Sequence, residues 1–501
     1  MDLCIYGATA GGIATAVAAA HRGRSAVLIH PGPHTGGMTT HGLGLTDFGK
    51  RHVIGGMARR FYRELGTHYN QSETWTFEPH AARGVLERWI RDADVPVHQR
   101  QFLERMEMDA NRITRITLLG GLSVAARIFV DATYEGDFMA AAGVTYRLGR
   151  ESNRVYGETL NGVQVRDLHQ FSHPIDPYRE PGNPASGPLP RVNPRDAGPN
   201  GRGDRRIQAY CFRLCMTDSP DLRVPWEMPG RYDPGQYVLA ARWFNSEKDR
   251  YNELILPDGE LRKFDRLQPV PHKTDTNNHG PVSSDFIGAN YAWPEADYPG
   301  REELYQQHIA YQKGLYWFLA NDPSIPKRYR EKIDSFGLAA DEFEETAHWP
   351  SQLYVREARR MLGDYVLTEH DCMHRRSCED PVGLGSYTVD SHNCQRFVRD
   401  GRVLNDGDVQ VPPAGPYGVS YRSIVPSKGE CGNLAVPVCC SASHIAYGSV
   451  RMEPVFMILG ESAAIAADIA IEENVALQDV PYLTLRTELL NAGQILEAPN
   501  G

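Results

Sequence analysis

Leu3-Cys4-Ile5-Tyr6-Gly7-Ala8-Thr9-Ala10-Gly11-Gly12-Ile13-Ala14-Thr15-Ala16-Val17-Ala18-Ala19-Ala20 decides the fold, together with Ala26-Val27-Leu28-Ile29, which follows it across Arg22-Gly23-Arg24. An apolar run, a glycine turn, a stretch of small helix formers and a second apolar run give strand, turn, helix, strand within about 30 residues. In that setting a glycine pattern reads as a phosphate cradle. The first glycine turns tightly, the second admits phosphate to the backbone, the third packs helix on strand, and the helix amides hold the anion. Gly7 and Gly12 take the outer roles. Thr9 stands at the middle position and offers a hydroxyl, and Gly11 adds local freedom. His30 ends the second strand where an acidic residue would take ribose hydroxyls, and a neutral imidazole can accept only one hydrogen bond there.

Working outward, residues 31–44 form a glycine-dense loop, Pro31-Gly32-Pro33-His34-Thr35-Gly36-Gly37-Met38-Thr39-Thr40-His41-Gly42-Leu43-Gly44, which lets backbone lie against a planar ligand. An extended dinucleotide such as FAD would run along it. Helical patterning is expected from Val53 to Tyr62 and from Pro79 to Asp92, a hairpin around Ile113–Leu118, and a buried strand at Ala126–Val130. That strand ends in Asp131-Ala132-Thr133-Tyr134-Glu135-Gly136-Asp137, placing acidic and hydroxyl groups at the ligand edge of an α/β sheet. Residues 164–235 read as proline-punctuated loops leading to a strand over 207–214, and residues 301–348 as helical. With no second fingerprint, electrons are expected to enter from substrate and not from a nicotinamide.

Composition narrows the class. The chain has 501 residues and a formal charge of −10, with 41% hydrophobic residues, so it holds no basic field for a nucleic acid. Nine cysteines without a C-x2-C pair argue against a disulfide scaffold or zinc ribbon, and no metal site is expected. The start lacks a basic segment with a following apolar core, and the apolar stretch from Val455 to Ile471 is cut by Glu461 and Asp468. A soluble cytoplasmic protein without a membrane partner is the expectation.

For the chemistry, position selects among eighteen histidines. His444, shortly before Glu453-Pro454, is the first candidate for a base beside a reacting carbon, and His392 the second. Lys273, Asn277, Asn278 and His279 offer polar groups suited to a polyhydroxylated substrate, although a turn held by Asx side chains explains them as well. Tyr421 and Arg422 could also reach a cavity.

The glycine turn, Gly36-Gly37-Met38-Thr39-Thr40, Val130–Asp137, Lys273–Asn278, Gln352–Met361, Asp390-Ser391-His392 and Asn433–Gly460 together resemble the FAD-dependent oxidoreductases with a glutathione-reductase-type FAD domain, more narrowly a poorly characterised bacterial group. The resemblance covers nearly the whole chain. It implies FAD, with Gly7, Thr9, Ala10, Gly11 and Gly12 at the pyrophosphate, His30 and Pro31 at the ribose, and Gly36, Gly37, Met38 and Thr39 along the ribityl chain. Ala132, Thr133 and Asp137 would line the cofactor from the sheet side. Arg451, Met452 and Glu453 would start a helix whose amide end faces the flavin pyrimidine.

The expected fold is α/β: a doubly wound Rossmann-like FAD-binding domain (1–163 and 351–475), an inserted mixed α+β substrate domain (164–350) and a C-terminal tail (476–501). The expected activity is hydride transfer from a polar small molecule, such as a carbohydrate or glycoside hydroxyl, to flavin N5. A lyase or isomerase without net oxidation and a non-catalytic flavin binder stay open. So do the electron acceptor and a homo-oligomeric state.

Overall fold

In the computed structural model, which describes residues 1–246, 254–256 and 258–498, the strands Leu3–Tyr6, Ala26–Ile29 and Ile128–Asp131 are buried at every position. A strand covered on both faces has no polar face to show, which is why these runs are apolar without alternation. They form the centre of a five-stranded parallel sheet ordered Leu434–Ala435, Ile128–Asp131, Leu3–Tyr6, Ala26–Ile29, Val97–His98. The hairpin expected at Ile113–Leu118 is part of a three-stranded antiparallel meander, Leu103–Asp109, Arg112–Leu118 and Ser123–Val124.

The helix Ala10–His21 crosses from the first strand to the second and meets the long helix Glu453–Glu473. Glycines let the two backbones touch: a Cβ on Gly11 would stand 2.8 Å from the Phe456 carbonyl oxygen, and one on Gly460 would be driven into the Gly11 carbonyl. Glu453–Glu473 is long and apolar enough to cross a membrane, but its apolar window is wholly buried in this fold. The acids that interrupt it are each partnered. Asp468 pairs with Arg22 at 2.5 Å and with Arg24, and Glu461 accepts the Met57 N–H at 2.9 Å and the Gln494 amide at 2.6 Å.

A second sheet, antiparallel, is drawn from the middle of the chain in the order Arg223–Val224, Gly337–Ala339, Leu214–Thr217, Val270–Thr276, Phe264–Leu267. The strand expected over 207–214 begins only at Leu214. Before it, side chains take the backbone hydrogen bonds: Glu357 accepts the Gln208 N–H at 3.0 Å and Gln312 accepts the Phe212 N–H at 2.8 Å, so no ladder partner is needed. The helical stretch expected over 301–348 is two helices, Tyr298–Asn321 and Lys327–Asp334, parted by Pro323 and Pro326, and it does not continue past Asp334. Residues 476–498 are no loose tail. The helix Tyr482–Asn491 is held by Glu488 on Arg22 at 2.8 Å, and Gly493 accepts the Gly56 N–H at 2.9 Å; residues 499–501 lie outside the described residues.

Candidate cofactor cleft and the polar cluster behind it

Above the carboxyl ends of the parallel strands lies a cleft of about 430 Å³, lined by residues that include Gly7, Thr9, His30, Gly37, His41 and Asp137. Gly7 has φ +108°, and a Cβ there would stand 2.5 Å from the Ala132 carbonyl carbon, so only glycine turns here. A methyl on Gly12 would be driven into the Gly7 carbonyl oxygen and would crowd Ala132 at 3.0 Å. The other two positions differ from the sequence reading. Gly11 serves the contact with Phe456 and Gly460, not freedom at the phosphate. Thr9 is the helix N-cap: its Oγ1 donates to the Ala132 carbonyl at 2.8 Å and accepts the Gly12 N–H at 3.2 Å, so the hydroxyl is already committed. With Gly12 capped and Ile13 bonded to the Thr9 carbonyl, the amides of Ala10 and Gly11 are left for an anion.

Two histidines have their tautomers set by neighbours. The Ala8 N–H donates to His30 Nδ1 at 3.2 Å, so in the neutral ring Nε2 carries the proton and His30 is a donor, not the acceptor expected for ribose. Burial pushes His30 down to about 4 and keeps it neutral. Thr40 Oγ1 donates to the Thr35 carbonyl at 2.6 Å and so accepts from His41 Nδ1 at 2.7 Å, which leaves the buried His41 Nε2 as a lone pair without a partner among the described residues. Burial, with His34 beside it, pushes His41 down to about 3. The His34 and His41 rings stack at 4.5 Å. His34, His41 and Glu345 bring ligand atoms within 4.8 Å of one another at the cleft, an arrangement the sequence did not signal.

Asp131, a residue sequence reasoning left out of the site, builds the sheet-side wall. Its carboxylate accepts Thr133 N–H at 3.0 Å, Thr133 Oγ1 at 2.7 Å and Met139 N–H at 2.8 Å, while burial pushes it up to about 6. Thr133 and Ala132 are thereby shaped into the wall, but the Thr133 hydroxyl is spent on Asp131. Burial would raise Asp137 as well, yet Arg301 and Arg359 outweigh it and hold the carboxyl below its ordinary range; Arg359 sits at 2.6 Å. Tyr134 ties the ends together. It accepts the Met38 N–H at 3.0 Å and donates to Glu453 at 2.7 Å, and Thr39 donates to the other Glu453 oxygen at 2.7 Å. Pro31 and Gly37 line the cleft, while Gly36 bonds the Ala8 carbonyl at 2.7 Å just behind it. Met452 caps the helix Glu453–Glu473 where the sequence placed its start. Arg451 turns away from the cleft, donating to the Tyr354 hydroxyl at 2.9 Å and Gln208 at 3.3 Å.

The two candidate bases lie in a closed polar cluster. His444 is 2% exposed, with Nδ1 on Glu357 at 2.8 Å and Nε2 on Ser391 Oγ at 3.1 Å. Both ring nitrogens are engaged within the protein, so His444 links Glu357 to Ser391 in a buried chain. His392 sits between Asp285 at 2.8 Å and Asp390 at 3.5 Å. Arg356 pairs with Asp285 at 2.8 Å, and Arg360 with Glu151 at 2.8 Å, all four side chains essentially unexposed.

The expected substrate residues are not brought together. Lys273 is buried among Glu78, Asp341 and Glu342, with the first at 2.5 Å, as a structural ion cluster. Asn277 and His279 line a separate cavity of about 40 Å³, and Asn278 is buried beside them in sequence. Tyr421 donates to the Leu477 carbonyl at 2.7 Å, and Arg422 pairs with Asp380 at 3.0 Å, both away from the cleft.

A parallel sheet with a glycine turn, a helix amide end and a cleft along its strand ends defines a dinucleotide-binding protein. Residues 2–489 match the family model described as FAD dependent oxidoreductase, and the chain belongs to that family. Its cofactor is FAD. No curated protein matches the chain. Among solved structures, CabE, an aromatic hydroxylase from angucycline biosynthesis, is 13% identical with a TM-score of 0.24, covering 30% of this chain and 34% of CabE. AlpK is 14% identical with a TM-score of 0.24, covering 42% and 41%. A flavin-containing monooxygenase from Stenotrophomonas maltophilia is 15% identical with a TM-score of 0.21, covering 30% and 42%. The chain thus spans well under half the length of each. The glycine turn and the cleft fit FAD on their own chemistry: the amides of Ala10 and Gly11 at the helix start, next to Thr9 of the lining, for the diphosphate, and an acceptor at His41 without a partner among the described residues.

Proposed function

We propose that this FAD-dependent oxidoreductase dehydrogenates a polar small molecule, a carbohydrate or glycoside hydroxyl being the substrate class. In this reading the molecule is a doubly wound FAD-binding unit from residues 1–163 and 351–475 that carries an inserted mixed α+β unit, 164–350. The observation that supports it most is the glycine loop between His41 and Leu45. One end of it lines the cofactor cleft and the other lines a separate polar cavity.

FAD, when bound, supplies the two-electron acceptor. The chain's own residues do the rest. Gly7 and the amides of Ala10 and Gly11 would hold the diphosphate, and His41 would accept at the cleft wall. Tyr134, Glu453 and Thr39 lock the Met38 loop to the helix Glu453–Glu473. Asp275 takes the Gly44 and Leu45 N–H groups at 2.7 Å each and is paired with Arg213 at 2.7 Å, which fixes the strip between cleft and cavity.

Anaerobic mixing of the flavin-loaded protein with a panel of neutral glycosides, polyols and amines tests the reading. Lasting loss of the flavin absorbance with one of the hydroxyl compounds is expected. Turnover without lasting bleaching would instead indicate an internal redox cycle, as in a lyase or isomerase, and no response to any compound or chemical reductant would indicate a binding protein.

A further inference from the structure

Among the described residues, two groups of histidine and carboxylate side chains bring ligand atoms within 4.8 Å of one another: His68, Glu78 and His80, and His34, His41 and Glu345. The first group is already committed. Glu78 holds Lys273 at 2.5 Å and the Tyr69 hydroxyl at 3.2 Å, and His80 Nδ1 meets Glu342 at 2.7 Å. The second group is not. His41 is 2% exposed and its Nδ1 is taken by Thr40 at 2.7 Å, so the nitrogen it has left to offer is Nε2, which has no partner among the described residues. A buried lone pair that meets no donor costs the fold free energy that a ligand would restore.

The three ligands come from separate stretches that the fold brings together. His34 lies in the glycine loop and His41 ends the short helix Met38–His41. Glu345 sits in the turn Glu344–Thr346, bounded by Phe343 and Ala347 at φ +52° each, and the Phe343 ring lies 6.0 Å from that of His41. Left-handed backbone at such residues persists only where its surroundings impose it, so the turn is fixed beside the imidazole. The His34 and Glu345 side chains are 23% and 37% exposed, and His34 Nδ1 stands 3.9 Å from the Glu345 carboxylate. Ligands of one tetrahedral ion stand about 3.3 Å apart, so closing the triad takes at most about 1.5 Å of movement by these two side chains while His41 stays in place. Arg83 holds Glu345 at 2.6 Å, and a carboxylate can keep that partner on one oxygen and meet an ion with the other. Two imidazoles and one carboxylate suit an ion of the zinc class, whereas Ca²⁺ or Mg²⁺ would find a single protein oxygen.

We propose that His34, His41 and Glu345 bind a divalent ion of the zinc class at the edge of the cleft, through His41 Nε2, one His34 nitrogen and one Glu345 oxygen, with water as the fourth ligand. The cofactor would use the same His41 lone pair, so ion and FAD exclude one another, and the ion occupies the flavin-free protein. This rests on FAD in the cleft and not on the dehydrogenase reading, and its test involves no turnover.

Co²⁺ and Zn²⁺ titrations of the flavin-stripped full-length protein test it. Co²⁺ should give the visible absorption of a four-coordinate nitrogen and oxygen site at one ion per chain, and Zn²⁺ should displace it. Glu345→Gln and His34→Gln should each weaken Zn²⁺ binding about tenfold or more. In wild type, Zn²⁺ at ten times its own Kd should raise the apparent Kd for FAD about tenfold, read from flavin fluorescence, and the same Zn²⁺ concentration should raise it at most about twofold in Glu345→Gln. Absence of the cobalt band, equal Zn²⁺ affinity in wild type and both variants, or Zn²⁺ that binds without shifting the FAD affinity would overturn the proposal.

Discussion

The glycine turn beside the cofactor cleft is made of main chain, with Gly7 and Gly12 packed backbone against backbone, whereas the cluster around His444 and His392 is made of charged side chains gathered from distant stretches. The first tolerates no added atom, because backbone meets backbone. The second tolerates no lost charge, because each buried ion is balanced by another. Geometry specifies the one and electrostatics the other.

Gly12→Ala attacks the first most directly. Its methyl would strike the Gly7 carbonyl, which cannot give way, so purified protein should be colourless and less stable by about 3 kcal/mol or more. Normal flavin content would show that the turn is not rigid. Glu357→Gln probes the second. Burial pushes Glu357 up, but His444 and Arg360 outweigh it and hold it below the usual carboxylate range, so the folded protein needs the charge. A loss of about 3 kcal/mol in denaturant unfolding is expected, with flavin retained because no cleft residue is touched. Loss of flavin instead would join the two regions that the structure keeps apart.

A smaller effect lies where they meet. Burial raises Glu453 to about 7 from 4.5. A carboxyl raised on folding contributes stability that is fully present below its unfolded value near 4.5 and is lost as pH climbs through about 7. Thermal unfolding between pH 5 and 8 should therefore show a decline in wild type that Glu453→Gln lessens by up to roughly 3 kcal/mol across the window, while Glu461, likewise raised to about 7, keeps its own share. Parallel curves for the two proteins would remove Glu453 as the source.

Legibility followed the same divide. Strand, glycine turn and helix at the N-terminus are local patterns, and so is the proline that starts the helix Pro79–Asp92, whose expected limits are those observed. The cleft residues Gly7, Gly12 and Gly37 were readable because only glycine permits what the backbone does there. Asp131 and Tyr134 stood in a recognised motif, yet nothing in the sequence told which of its groups would face inward. Adjacency of His444 to Glu453 in sequence gives no account of Glu357, Asp285 and Asp390, the carboxylates that close around His444 and His392. Lys273 looked like a ligand-binding cation until long-range pairing with Glu78 and Asp341 was visible.

The touch between Gly11 and Gly460 has a consequence for how the chain is made. The helix Ala10–His21 leaves the ribosome long before its packing partner Glu453–Glu473, so the nucleotide unit must wait, half-covered, while the intervening chain is synthesised. Chaperone dependence during synthesis, and the absence of any flavin-binding fragment among prematurely terminated products, are what such a delayed closure entails.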